Sequence, residues 1–415
     1  MNTNCSNTPA WINTSSALFI ALFFASYFNE GFNVFSALLA LTAIATLVYH
    51  RKGETRPKIK ELQLLNWTFG LFAIHLAIIT LSAYLDLDTR SIGSSIEYPA
   101  KALLLCIVSY AVIFTRVSIK SLCYGLALGA FLGCLISGFN VYIDHIRGFD
   151  ALMPIQKGNA AILFSSLLFT LSLYWHKSQQ KLAWFCLLGA NLALAASVLS
   201  LSRGGWILAP LTYLIAAAVF FKQVSRRYLA IAFLSLFTTI LLVVATAPLS
   251  IEDRVAVAAS QVKSEQGSVG VRIEMWKFAW QLFLDKPLLG WGEHALQPRL
   301  DLAVATGELS EYARGFNGNA HNSYLNALSQ RGVIGFVGLM AFLAVPGIFY
   351  LINLVKAKGE ETKLCATLGG VNILSTAGFC VSQAHFLHNE GIVLYATTNA
   401  ILLGFLIRAK HAENH

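Results

Sequence analysis

The chain has 415 residues, 56% of them hydrophobic and only 12% charged. Soluble domains carry about a quarter charged residues, so a soluble fold is excluded and the composition is that of a protein built for lipid. The net charge of +9 comes from basic residues scattered over short polar segments, a topology signal and not the basic stripe of a nucleic-acid binder.

Twelve apolar runs are predicted as membrane helices, at about 15–28, 32–49, 66–84, 99–115, 121–139, 159–175, 182–201, 205–221, 229–247, 333–354, 364–381 and 391–407. Each approaches the roughly 20 residues a span requires. The segment Met1 to Asn13 has no positive flank of the kind that precedes a cleaved signal, so the first run is expected to be retained. Seven cysteines lie at the N-terminus or in apolar runs, with no Cys-x-x-Cys, which argues against a disulfide framework or a zinc site. Basic residues in alternate connections are strongly unequal. Seventeen, among them Arg51, Lys120, Lys181, Arg227, Lys358 and Arg408, fall on one side, against five on the other: Arg90, Lys101, Arg147, Lys157 and Arg203. That bias predicts both termini in the cytoplasm and the long polar passage 248–331 outside. The expected fold is an all-α polytopic membrane protein with about 12 transmembrane helices and one large helical periplasmic loop. Residues 1–247 hold nine spans, 248–331 the loop, and 332–415 three spans and a tail.

Apart from His75, the cores of these runs contain no Asp, Glu, Lys, Arg or His. Ion-coupled transporters place such groups or broken helices near the midplane, so a pump is disfavoured and His75 reads as an interhelical hydrogen-bonder. Any chemistry is expected at the outer interface. Within the loop, Ile273, Trp276, Trp280 and Phe283 recur at helical spacing, which predicts an amphipathic helix over 271–284, ended by Pro287 and Gly290. A second short helix is predicted over 322–330, stopping at Gly332. Residues 300–319 have weak periodicity and a turn cluster at 315–319, and part of this stretch is expected to be mobile.

Several residues could carry chemistry. Arg203 sits in a tight turn with Gly204 and Gly205, where it either snorkels to the interface or meets a phosphate close to the backbone. Arg272 lies in the first turn of the loop helix, four residues before Trp276. A cation there opposes the helix dipole, so it pairs with Glu265 or Glu274 or awaits an anion. His321 precedes the helix start at Asn322; it is either a surface or capping residue or a general base, with an ordinary pKa near 6.5. Lys101 is an interfacial anchor or a phosphate contact. Asp86-x-Asp88 is a sparse metal-binding pattern. His385 and His388, three apart, lack a further ligand, and Glu390 is the better candidate, as an orienter of His321 or of an acceptor.

The spacing His321-Asn322, nine residues, then Gly332-x-x-Gly335 resembles the signature of the O-antigen ligase and polymerase superfamily. Ser202-Arg203-Gly204, Arg272 with Trp276, Pro287 with Gly290-Trp291-Gly292, and, with less specificity, Lys157-Gly158-Asn159 fit the same pattern. The resemblance implies an O-antigen ligase of the bacterial inner membrane, taking an undecaprenyl-diphosphate-linked glycan to a lipid A-core acceptor. It implies metal-independent, inverting transfer at the periplasmic face without a cofactor. His321 would be the general base and Arg203 and Arg272 the diphosphate ligands, with Asn322, Lys101, Glu390 and Trp276 in support. A polysaccharide polymerase with the same donor is the alternative, and a glycolipid or anion transporter a more distant one. The Arg-then-ten-then-Gly spacing of polymerases is absent: it falls on Phe283 from Arg272 and on Leu325 from Arg314.

Overall fold

The computed structural model describes residues 8–52, 70, 73–74, 77, 100–101, 103–247, 268–292, 295–316 and 318–413. Among these the secondary structure is entirely helical. Among the described residues nine helices are long and apolar enough to cross a membrane, and a helix pairs most of its backbone polar groups within the segment, as lipid demands. In chain order the helices are α1 (Ala10–Ala25), α2 (Phe32–Lys52), α3 (Leu103–Ile113), α4 (Ile119–Tyr142), α5 (Pro154–Trp175), α6 (Gln180–Leu199), α7 (Ala209–Phe220), α8 (Arg226–Thr246), α9 (Ser268–Asp285), α10 (Leu296–Ala305), α11 (Ser323–Lys356), α12 (Glu360–Ser382) and α13 (Asn389–Glu413). Of the twelve expected runs, eleven coincide with helices; α1 and α3 are shorter than a full span. The run 66–84, with His75, lies almost wholly outside the described residues, as do Asp86 and Asp88.

Successive helices run up and down, which sorts the connections into two ends. At one end Thr8 donates to the carbonyl of Phe114 at 2.7 Å, the Arg116 amide to Asn13 at 2.7 Å, and Arg408 to the carbonyl of Thr115 at 2.9 Å. The first described residues of the chain and the end of α13 are there. At the other end, the site end, Tyr27 donates to the carbonyl of Glu390 at 3.2 Å and the Gly148 amide to Leu199 at 3.1 Å. The loop helices α9 and α10 belong to this end through their contacts with residues 320–383.

Local sequence explains the element starts. Ser118 and Ser225 cap α4 and α8 by accepting from the amides of Lys120 and Tyr228. Pro154 opens α5, where a missing N–H costs nothing. This helix starts five residues earlier than its apolar run because its first turn buries polar groups. Lys157 is fully buried, donates to the Tyr27 carbonyl at 2.8 Å, and lies over the rings of Tyr27 and Phe32. The central helices α5 and α13 are buried nearly all round, whereas α8 faces outward along most of its length.

The loop carries a small core of its own. Val271, Met275, Phe278 and Leu282 of α9 pack against Leu296, Leu300, Ala303 and Val304 of α10, with Ala313. The buried stripe of α9 is therefore not the expected one: Ile273 and Trp280 are exposed, because α9 is apolar on two faces and α10 covers only one. Helix α10 and the 3₁₀ turn Glu311–Phe316 occupy the stretch expected to be partly mobile.

Candidate active site

The site is assembled around a break in α11. Gly332 has φ +62 and ψ −160, outside helical space, and splits the element into a short helix and a long one. The passage 287–292 seals the break. The Val333 amide donates to Pro287 at 2.8 Å, and the Trp291 and Gly292 amides donate to Ser329 and Gln330 at 3.0 and 2.9 Å. Gly290, at φ +69, faces the Gln330–Arg331 backbone as Gly332 faces Leu288; a Cβ on either would overlap main-chain atoms. The two glycine motifs of the sequence are thus the two halves of one backbone contact.

His321 sits in the turn before the short helix, itself at φ +47. Its amide donates to Asn319 Oδ1 at 2.8 Å, which also accepts from Asn326 Nδ2 at 2.7 Å, and Asn326 Oδ1 accepts from the Ala320 amide at 2.9 Å. Trp276 closes the turn from α9 by donating to the Ala320 carbonyl at 2.9 Å. Asn322 is the helix cap, its Oδ1 accepting from the amides of Tyr324 and Leu325 at 3.0 and 3.1 Å. Its role is to fix the turn.

Arg272 shares the Trp276 face of α9, is half-buried, and donates to the carbonyl of Ser382 at 3.3 Å, at the end of α12. The expected pairing with Glu274 is not made. Glu274 instead accepts from the Ser310 amide and hydroxyl at 2.9 and 2.7 Å, because the start of the 3₁₀ turn needs an acceptor. Glu265 lies outside the described residues. Arg203 is exposed at the head of the 3₁₀ turn Arg203–Trp206, and Gly204 abuts the Ser382 side chain so closely that a Cβ would overlap its hydroxyl. Ser382 thus touches both Arg272 and the turn that carries Arg203, and the two guanidinium charges lie near enough to act on each other. Neither has a carboxylate within ion-pair distance among the described residues.

The electrostatics follow from that crowding. Burial, and next the charge of Arg203, lower the pKa of Arg272. Burial, then Arg272, then His388, push His321 down to about 4. His321 is neutral at pH 7 and can accept a proton. The cluster is short of negative charge, and a bound anion would relieve it.

The supporting candidates divide. Lys101 donates to Asn389 Oδ1 at 2.8 Å and so ties its own segment to the start of α13. Glu390 acts on His388, raising its pKa against burial, and is not among the groups that shift His321. His385 is buried, its amide donates to Ser323 Oγ at 2.9 Å, and burial pushes its ring down to about 3. It packs between Phe379 and Phe386. No group of three or more His, Cys, Asp or Glu suited to a metal occurs among the described residues.

Sequence reasoning missed Asn319, Asn326, Ser382 and Gln156. Gln156 donates to the His385 carbonyl at 3.4 Å. Only Asn326 left a signal, as an amide four residues after Asn322.

Residues 188–340 match the family model described as O-antigen ligase, a region that contains Arg203, Arg272, His321, Gly332 and Gly335. Over 391 residues the chain is 26% identical to an uncharacterised protein of Haemophilus influenzae, an alignment covering 91% of this chain and 95% of that one.

Proposed function

Assigned to the O-antigen ligase family by residues 188–340, this chain is, we propose, an O-antigen ligase that transfers an undecaprenyl-diphosphate-linked glycan onto lipid A-core. The site end would face the periplasm across the bacterial inner membrane. The observation that supports this reading is the nearness of Arg203 and Arg272, whose charges act on each other, beside a neutral His321 and with no carboxylate in ion-pair distance among the described residues. Two neighbouring guanidinium groups without a counter-ion suit an anion.

The chemistry needs little else. The anomeric carbon–oxygen bond to the diphosphate breaks while the acceptor hydroxyl forms the new bond, and negative charge grows on the departing diphosphate. Fixed guanidinium groups in a water-poor site stabilise that charge as it develops. The hydroxyl proton passes to His321. A single displacement inverts the anomeric configuration, and no metal is required. Donor binding also strengthens the base: an anion held by Arg272 offsets the charge that depresses the imidazole pKa.

Reconstitution of the purified protein with carrier-linked glycan and lipid A-core tests the assignment. The expected product is lipid A-core carrying long glycan. Growth of carrier-linked polymer without use of lipid A-core would make the protein a polymerase, and movement of glycolipid without bond formation would make it a transporter.

A further inference from the structure

An apolar groove of about 440 Å³ lies between α5, α6, α7 and α8. Along α8 it reaches from Val244, two residues from the helix end, down to Phe233. Eleven residues of helix rise about 16 Å, roughly half of a hydrocarbon core about 30 Å thick. The groove thus belongs to the leaflet that adjoins the site end. Its polar side-chain atoms are already engaged. The Tyr213 hydroxyl pairs with Ser165 Oγ at 2.7 Å, and the Trp206 indole donates to Ser197 Oγ at 3.2 Å. Nothing polar remains to be met, so its ligand is hydrocarbon.

The groove is continuous with the anion site. Trp206 lines its site end and belongs to the same 3₁₀ turn as Arg203. Gly205 stands between them; a Cβ there would lie 3.5 Å from Ile162, which lines the groove, and 2.7 Å from Asn159 Oδ1. Asn159 is fully buried, and neither atom of its carboxamide has a hydrogen-bond partner among the described residues. A lipid whose anionic head meets Arg203 would hang its chain directly into this groove. One groove below one anion site suits a lipid with a single chain per diphosphate; the acceptor's anchor carries several acyl chains.

We propose that this groove binds the polyisoprenoid chain of the glycan donor and so aligns its diphosphate on Arg203 and Arg272. The proposal rests on the donor assigned above. Trp at Leu214 or Ile240, whose side chains are 57% and 38% exposed, would fill the groove without touching Arg203, Arg272 or His321. With a full-length carrier, Leu214→Trp and Ile240→Trp should raise the donor KM roughly tenfold, the loss of about two buried methylenes, with kcat unchanged. With the same glycan on a single-isoprene carrier, too short to reach either position, KM should not move. A full-length donor KM equal to wild type in both variants, or a rise confined to the acceptor KM, overturns the proposal.

A second measurement needs neither turnover nor a variant. A polyprenyl diphosphate with a photoreactive group on its third isoprene unit, added to the wild-type protein in phospholipid nanodiscs, should label 209–214 and 233–244. Unlabelled polyprenyl diphosphate should compete, and added phospholipid should not. Labelling elsewhere, or equal competition by phospholipid, overturns the groove. Competed labelling here in a protein that transfers no glycan to lipid A-core would support the groove and remove the ligase assignment.

Discussion

The indole N–H of Trp276 donates to the carbonyl oxygen of Ala320 at 2.9 Å, and this bond ties the helix carrying Arg272 to the turn carrying His321. On the other side of the turn, Asn326 takes the Ala320 amide and holds Asn319. The His321 turn is thus held on one side by α9, 44 residues away in sequence, and on the other by its own helix. Misplacement of a catalytic group by about 1 Å can cost 10²-fold in rate, so these bonds bear on the chemistry without touching substrate.

Trp276→Phe keeps the ring and removes the donor. We expect normal folding and membrane yield, a donor KM within about twofold of wild type, and kcat reduced roughly tenfold. Steady-state kinetics on reconstituted protein decide it; a wild-type kcat would mean that the bond does not position His321.

The pH profile should separate free protein from complex. In the free protein His321 is pushed down to about 4, by burial first and then by Arg272 and His388. The acid limb of kcat/KM, which reports the free protein, should lie near pH 4. The acid limb of kcat should lie at higher pH, because the bound diphosphate offsets Arg272. Arg272→Gln should move the kcat/KM limb upward. The same depression makes the fold lose stability as pH falls from the ordinary imidazole value toward 4, since the unfolded chain takes up a proton that the folded one refuses. Coincident limbs in kcat and kcat/KM, unmoved by Arg272→Gln, would refute the coupling.

Arg203→Lys and Arg272→Lys should both be poor substitutes. A lysine restores the charge but not the planar fork, and losing one transition-state donor costs roughly 10² in kcat. Arg272→Lys also loses reach to the Ser382 carbonyl, so it should raise the donor KM more than Arg203→Lys does. Kinetics at saturating acceptor measure both; near-wild-type rates in the lysine variants would reduce the arginines to simple charge.

If, as proposed, fixed guanidinium groups take the charge that a metal would otherwise take, transfer should survive chelation. Activity is to be compared in buffer with and without EDTA. Loss restored by Mg²⁺ or Mn²⁺ and abolished in Asp88→Ala would move the chemistry to the 86–88 pair.

Gly332→Ala places a side chain at φ +62 against the Leu288 carbonyl. Strain of this kind costs about 1–3 kcal/mol, before the overlap is counted. We expect a lower thermal midpoint and loss of transfer at temperatures where wild type is active. An unchanged midpoint would show that the break can relax without the glycine.

The spans were legible because lipid requires long stretches without charge and helices that satisfy their own backbone. The start of α5 was not, since Gln156 and Lys157 read as loop until Tyr27 supplies a carbonyl and a ring. Helix α10 was hidden because a small satellite core asks for only a few apolar residues, Leu296, Leu300, Ala303 and Val304 among them. Arg203, Arg272 and His321 stood out as polar groups beside membrane. What joins the arginines did not, because Ser382 lies 110 positions beyond Arg272 and offers it a backbone carbonyl, which has no side-chain signature. Glu390 was singled out by residue type, and of the two histidines its charge acts on His388 and not on His321.

The backbone contact of 287–290 with 330–332 limits how this chain can be recombined. Backbone meets backbone there, so each strip is matched to the other and to no side chain that could adjust. A loop grafted from a relative would have to bring 287–292 and 329–335 from one parent. A crossover between them would pair mismatched main chains and unseat the His321 turn from the end of its span. Exchange of a segment confined to 300–316, with both flanking strips kept from one parent, cuts mainly side-chain packing and leaves the seal intact.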